Sequence, residues 1–216
     1  MRPFNGKLLC CIGLLIGMAV IAGCGSSNGP LDPVGQQYTA TIAVQDPFTD
    51  NDLSVDIAQD DCDMNATTND DWEDYGPVSA YVVIEAAEDV PGITIQSYTI
   101  QYIALPSPDG TGAVVMPPAL TSPPLVGNFG IDVTPGGKAE FSLTCMSVDT
   151  KQEYRDAIGW TLYYDSATQW IGWINPSELD EGRYTVRFTF NYVNTEGHTG
   201  SIVRDATVWL GDFDDC

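Results

Sequence analysis

Residues 184–200 read YTVRFTFNYVNTEGHTG, and apolar and polar side chains alternate strictly from Tyr184 to Tyr192. Because successive side chains of a β-strand point to opposite faces, this pattern predicts a strand with one face in a hydrophobic core. The turn-forming residues of NTEGHTG separate it from the next strand-like segment, SIVRDATVWL.

The chain from Tyr38 onward repeats this pattern in short segments of β-branched and aromatic residues, separated by Gly-, Pro- and Asp-rich breakers. The other segments are YTATIAV, LSVDIA, VSAYVVIEA, ITIQSYTIQYI, AEFSLTC and IGWTLYY. Six prolines in residues 104–127 predict a long surface excursion instead of a central strand. One helix is predicted at Thr150–Ile158, with a capping box from Thr150 to Glu153. We therefore expect an all-β sandwich.

Two segments resemble immunoglobulin-like and fibronectin type III domains. LDEGRYTVRFTFNYVNTEGHTG (Leu179–Gly200) carries the tyrosine-corner pattern D-x-G-x-Y at Asp180, Gly182 and Tyr184. ITIQSYTIQY (Ile93–Tyr102) is similar to strand C of the same superfamily. The resemblance implies an antiparallel β-sandwich. Because such domains need about 100 residues, it also implies extra strands or long loops in this longer chain.

The N-terminus predicts export from the cytoplasm. Arg2 and Lys7 precede fifteen residues without a charge, LLCCIGLLIGMAVIA (Leu8–Ala22). A basic start, an apolar stretch of this length and small residues after it are typical of a secretory signal peptide. The alternative is a short transmembrane anchor, although about 20 residues are usual for a span.

The end of this segment, IAGC (Ile21–Cys24), resembles the lipobox of bacterial lipoproteins. The resemblance implies that residues 1–23 are removed and that Cys24 carries the lipid that anchors the protein to a membrane. Gly25 follows in place of aspartate, which in that family favours the outer membrane of a Gram-negative envelope. We interpret residues 24–37 as a lipidated flexible tether and residues 38–216 as a single β-sandwich domain.

The charge of the chain excludes one class of partner. Eight Lys and Arg residues stand against 30 Asp and Glu residues, and no basic residue occurs between Lys7 and Lys138. Such a surface repels nucleic acid and anionic headgroups and attracts cations or basic partners. We expect no nucleic-acid binding.

Three cysteines follow Cys24 in a chain that we expect to meet oxidising conditions. Cys145 is in phase with Phe141 and Leu143, which predicts a buried thiol. If LSVDIA is the first sandwich strand and VSAYVVIEA the second, Cys62 lies at the end of the sandwich where the last strand finishes. We therefore predict a Cys62–Cys216 disulfide, although a different strand count would move Cys62 to the other end.

Residues that could support catalysis are sparse. His198 is the only histidine, lies in a turn and is not accompanied by a Gly-x-Ser-x-Gly motif. Glu178, Asp180 and Glu181 could supply paired carboxylates, but the tyrosine-corner resemblance already accounts for Asp180. We therefore expect that the protein is not an enzyme.

Two segments have partial patterns of binding motifs. Trp170 and Trp173 could stack on a sugar, but strand positions three apart face opposite ways, so at most one would join a flat platform. The stretch DNDLSVDIAQDD has the acidic spacing of a calcium hand, yet Val55 occupies the position that needs glycine, and the bidentate glutamate is missing.

Calcium remains open at a second acidic cluster. If Cys62 and Cys216 join, carboxylates from two acidic runs meet, and either water or a hard cation must relieve their repulsion. The tentative ligands are Asp60, Asp61, Asp63, Asp212, Asp214 and Asp215. The favoured function is a lipid-anchored envelope lipoprotein with a non-catalytic binding or structural role toward an envelope protein or glycan. The alternative is a calcium-dependent adhesin or carbohydrate-binding module.

Overall fold

The computed structural model describes residues 37–46, 53–57, 76–108, 113–120, 126–165, 170–174, 181–211 and 213. Strands dominate these ranges, accompanied by one helix. In chain order the elements are β1 Tyr38–Gln45, β2 Ser54–Asp56, β3 Val78–Ala86, β4 Ile93–Leu105, β5 Ser107–Pro108, β6 Val114–Val115, β7 Val126–Val133, β8 Lys138–Met146, α1 Val148–Ile158, β9 Thr161–Asp165, β10 Trp170–Ile174, β11 Gly182–Asn194 and β12 Thr199–Gly211.

Two principal sheets form the described structure. The first has strand order β1-β3-β8, and the second has the order β2-β12-β11-β4-β7. All neighbours are antiparallel except β2, which runs parallel to β12. Two small ribbons, β9–β10 and β5–β6, complete the pairing. The predicted all-β class is therefore confirmed.

The inner faces of the two sheets pack against each other around one core. On β11, Tyr184, Val186, Phe188 and Phe190 are fully buried, as the alternating sequence predicts. Across the core, Phe141 of β8 meets Phe190 edge to face, with ring centroids 6.0 Å apart. Aromatic pairs in this arrangement add stability beyond the area that they bury.

The segment LSVDIA is not the neighbour of β3, as the sequence interpretation supposed. The strands beside β3 are β1 and β8, whereas Ser54–Asp56 of LSVDIA forms β2, at the edge of the other sheet. Val55 and Ile57 are fully buried there. Asp56 between them is also buried and Leu53 is exposed, so burial does not alternate along this segment, and a period-two pattern in any case does not specify which strand becomes the partner.

The helix is confirmed, but its predicted capping box is wrong. The helix begins at Val148, and the Oγ of the N-cap residue Ser147 accepts a hydrogen bond from the Thr150 amide at 3.2 Å. The helix ends at Gly159, whose φ of 82° is a left-handed conformation that glycine adopts without strain. The helix therefore begins two residues ahead of Thr150, and the N-cap lies three residues upstream of it at Ser147.

The proline-rich segment is not a central strand, but it is less superficial than predicted. Pro117 and Ser107 are buried, and the hydroxyl of Tyr184 donates to the carbonyl of Pro118 at 2.6 Å. A tyrosine corner would instead bond the backbone a few residues upstream of the tyrosine. This hydrogen bond instead connects Tyr184 in the core to residues 113–120.

Candidate functional site

The most unusual chemistry in the described ranges lies where β1, β2 and α1 converge. Asp46 follows β1 directly, and its Oδ2 lies 2.8 Å from the Nζ of Lys151 in the first turn of α1. Neither side chain has any solvent exposure. A charged pair removed from water this completely is rare, because each ion gives up its hydration on burial.

Backbone geometry holds the Asp46 carboxylate in place. The amide of Asp56 in β2 donates to the same Oδ2 at 3.2 Å. Asp56 stands opposite Gly211 in the parallel pairing of β2 with β12, and the amide of Ile57 donates to the carbonyl of Gly211 at 3.0 Å. We call this region, defined by Asp46, Asp56, Lys151 and Gly211, the β2–β12 pole.

Cys145 lies near the same ion pair at the end of β8. It is a free thiol with an exposed fraction of 1%. Burial, together with the charge of Asp46, raises its pKa to about 12. Its carbonyl accepts from the Tyr102 hydroxyl at 2.6 Å, and burial also raises the pKa of Tyr102. The sequence prediction of a buried thiol at Cys145 is confirmed.

The outer face of the five-stranded sheet is the second region of interest, because it bears two arginines of an otherwise acidic chain. Arg187 and Asp205 stand opposite each other on β11 and β12 and form a bidentate ion pair, with both hydrogen bonds at 2.8 Å. The Arg183 guanidinium lies over the ring of Trp209, 5.4 Å from its centroid. The ion pair and the cation–π contact hold these side chains in fixed positions on a half-exposed surface.

The predicted acidic site falls outside the described residues. This holds for the disulfide partners Cys62 and Cys216 and for every tentative calcium ligand, which are Asp60, Asp61, Asp63, Asp212, Asp214 and Asp215. Within the described ranges, no group of three His, Cys, Asp or Glu side chains is arranged to hold a metal ion. Ile57 and Gly211, which precede the two acidic segments, are hydrogen-bonded neighbours.

Other sequence candidates have mixed outcomes. His198 lies in the exposed β11–β12 turn, 3.5 Å from the Glu196 carboxylate. Glu181 is exposed, whereas Glu178 and Asp180 lie outside the described residues. The backbones of Trp170 and Trp173 lie in β10, but their side chains lie outside what the structure describes.

The apparent calcium hand and the N-terminal segment lie partly or wholly outside the described residues. Of the apparent calcium hand, Ser54 and Asp56 lie in β2 and Asp56 is buried, while Asp50, Asp52 and Asp61 lie outside the described residues. The signal-like segment, Cys24 and the tether up to residue 36 also lie outside. Among the described elements, no helix is long and apolar enough to cross a membrane.

The buried ion pair had no clear sequence signal. Lys151 lies in a polar helix, VDTKQEYRDAI, whose buried positions include both Lys151 and Arg155. A lysine in such a segment would ordinarily be assigned to solvent. The one available signal is the spacing of Lys151 with Tyr154 and Ile158, which places the three residues on one helical face.

Comparison with known proteins identifies no family for this chain. No family model and no curated protein matches the sequence. Among solved structures, the chain is similar to Northeast Structural Genomics Consortium target SoR45, at 8% identity and a TM-score of 0.37, over 84% of this chain and 92% of that one. A protein from Archaeoglobus fulgidus matches at 11% identity and a TM-score of 0.34, over 62% and 86% respectively. Likenesses this low carry no conclusion about function.

Proposed function

We propose that the protein is a lipid-anchored lipoprotein of the bacterial cell envelope whose domain binds or supports another envelope component without catalysis. The observation that carries the proposal is the sequence IAGC (Ile21–Cys24) at the end of an apolar stretch of fifteen residues that follows a basic start. Several acyl chains on Cys24 would hold the domain at a membrane, since each buried CH₂ contributes about 0.8 kcal/mol. The absence of aspartate after Cys24 favours the outer membrane.

The strand order supports an immunoglobulin-like or fibronectin type III-like domain. In that fold, strands A, B and E share one sheet, and C, F and G share the other. Here β1, β3 and β8 correspond to A, B and E, and β4, β11 and β12 correspond to C, F and G. The strands β2 and β7, the helix α1 and the two ribbons are additions to this arrangement of three strands facing three.

The ordered outer face of the five-stranded sheet supports a binding role over a catalytic one. Arg187 and Asp205 form a bidentate ion pair across β11 and β12, and the Arg183 guanidinium lies over the ring of Trp209, so the face presents ordered side chains. Folds of this class host many functions, so the role is assigned to the face and not to the fold.

Membrane extraction followed by mass analysis tests the anchor. The N-terminal peptide should begin at Cys24 and carry acyl chains, and a Cys24→Ala protein should leave the membrane fraction. Cys11→Ala is the matched control, because it removes a cysteine of the apolar stretch and leaves IAGC intact. If Cys24→Ala still partitions fully with membranes, the anchor proposal is wrong.

Co-purification from envelope fractions tests the binding role. Arg183→Ala combined with Arg187→Ala should weaken capture of a partner that contacts the outer face, whereas Lys138→Ala on the other sheet should not. A glycan array run with and without calcium separates a protein partner from the adhesin alternative. Hydrolytic turnover of a glycan or peptide by the purified protein would contradict the non-catalytic role.

A further inference from the structure

The Asp46–Lys151 pair is a pair of potential reactants as well as an ion pair. The two residues are 105 positions apart in sequence, yet the amine and the carboxylate oxygen are 2.8 Å apart. Both side chains are fully buried, so neither group is open to bulk water. Holding two reactive groups together in a dry site gives a large rate advantage, provided the reacting atoms approach within about 3–3.5 Å.

The contacts around the carboxylate suit acyl chemistry. Because Nζ lies 2.8 Å from Oδ2 and a C–O bond is about 1.2 Å long, Nζ lies within about 4 Å of the carbon that it would attack, Cγ of Asp46. The Asp56 amide donates to the same oxygen at 3.2 Å. A backbone N–H aimed at this oxygen stabilises the negative charge that develops on it when a nucleophile adds to the carbon.

We propose that Lys151 and Asp46 condense to form an intramolecular amide bond between the two side chains. The ammonium first gives up a proton to the carboxylate, which yields a neutral amine and a neutral acid protonated on Oδ1. Nζ then adds to Cγ of Asp46, so that a C–N bond forms. The C–O bond to Oδ1 breaks, and this oxygen leaves as water with a second proton from the nitrogen. No oxidant, reductant or co-reactant is required.

A proton transfer within the pair removes both charges at once, so no charge has to enter or leave the buried site. Cys145 lies near the pair and is also buried, and burial raises the pKa of its thiol to about 12. Its thiol therefore stays protonated and does not compete with Lys151 as a nucleophile. The bond would tie the start of α1 to the end of β1.

Mass spectrometry of the purified full-length chain tests the proposal. After reduction of disulfides, the wild-type protein should be lighter than its processed sequence by the mass of one water molecule. Proteolysis should release one branched peptide that joins the segment containing Lys151 to the segment containing Asp46. The wild-type chain should also migrate faster than an uncrosslinked chain in denaturing gels.

Lys151→Arg is the matched control, because arginine keeps the positive charge but stays protonated and is a poor nucleophile. This variant should retain the mass of its processed sequence and melt at a lower temperature than the wild type. Asp46→Ala should also keep its full mass, whether or not it folds. Folded wild-type protein at full mass would overturn the proposal, as would a water loss that persists in Lys151→Arg. Neither result depends on lipid anchoring.

Discussion

Burial governs the chemistry of Cys145. Its side chain lies on the core face of β8, and the desolvation there raises the pKa of its thiol to about 12. A thiol whose pKa is raised in the folded state keeps its proton at a pH where the unfolded chain has lost it. Folding stability from this group is therefore full below the ordinary thiol pKa and falls as the pH rises toward about 12.

We predict that unfolding becomes easier between pH 9 and pH 10 because of Cys145. The unfolded state binds fewer protons than the folded state in this window, so the free energy of unfolding should fall by about 1.4 kcal/mol per pH unit once the unfolded thiol is ionised. Urea denaturation at several pH values measures the slope. Cys145→Ser should flatten it, since serine does not titrate. An equal slope in both proteins would show that other groups cause the loss.

Cys145 and Lys151 differ in how well the sequence predicts their burial. The position of Cys145 followed from its phase with Phe141 and Leu143, because period-two alternation fixes the buried face of a strand. The burial of Lys151 did not follow from any local pattern. It depends on Asp46, which lies 105 positions away, and only the tertiary fold brings the two together.

At the scale of elements, α1 depends on its N-cap. The Ser147 hydroxyl accepts from the Thr150 amide at 3.2 Å and lies 3.0 Å from the Thr150 hydroxyl. The cap fixes the first turn of α1, and Lys151 belongs to that turn. An acidic residue in the first turn, Asp149, and a basic one in the last, Arg155, further suit the helix dipole.

We predict that Ser147→Ala lowers the free energy of unfolding by about 1 kcal/mol, because a helix amide loses its acceptor. Chemical denaturation monitored by circular dichroism gives the value. Gln152→Ala is the control, since this helical residue is exposed and its substitution should change stability by less than about 0.5 kcal/mol. Equal effects of the two substitutions would mean that Ser147 does not cap the helix.

Element boundaries and partners were predicted less well than element types. TKQE suggested a capping box at Thr150, but Ser147 competes for the same role three residues earlier, and sequence alone does not rank the two. LSVDIA was correctly predicted to form a strand. Its parallel pairing with β12 could not be foreseen, because alternation specifies a buried face and not a neighbour.

At the scale of the whole molecule, β2 and β12 end at the same pole. Ile57 and Gly211 are hydrogen-bonded there at 3.0 Å, and both Cys62 and Cys216 lie five positions further along the chain. Extended chain covers at most about 3.6 Å per residue, so both cysteines can reach a common point near the pole. The geometry of the described residues is therefore compatible with the predicted disulfide.

We predict that Cys62 and Cys216 form a disulfide and that Cys145 does not take part. The bond would close a loop of 153 intervening residues and stabilise the folded state by roughly 5 kcal/mol in the chain-entropy model, before any strain is subtracted. Peptide mapping without reduction identifies the pair. Cys145→Ser should leave the mapped bond unchanged. A bridge that contains Cys145 would contradict both the prediction and the burial of that thiol.

The β2–β12 pole is also where the two acidic runs of the chain would meet if the disulfide forms. Two acidic runs, residues 60–63 and 212–215, begin a few positions beyond Ile57 and Gly211. Carboxylates that converge repel each other, and a hard cation with six to eight oxygen ligands relieves this repulsion. If calcium binds only the folded form, a concentration 100 times its dissociation constant should add about 2.7 kcal/mol to the stability.

Melting temperatures in millimolar calcium and in chelator, at matched ionic strength, measure this effect. If calcium binds, it should raise the melting temperature and magnesium should raise it less, because magnesium demands a stricter octahedral site and keeps its water. Replacing Asp214 and Asp215 by asparagine should remove the calcium response, whereas replacing the exposed Glu88 and Asp89 in the β3–β4 turn should preserve it. Identical curves in calcium and chelator would mean that water alone solvates the acidic runs, because a bound cation must stabilise the state that binds it.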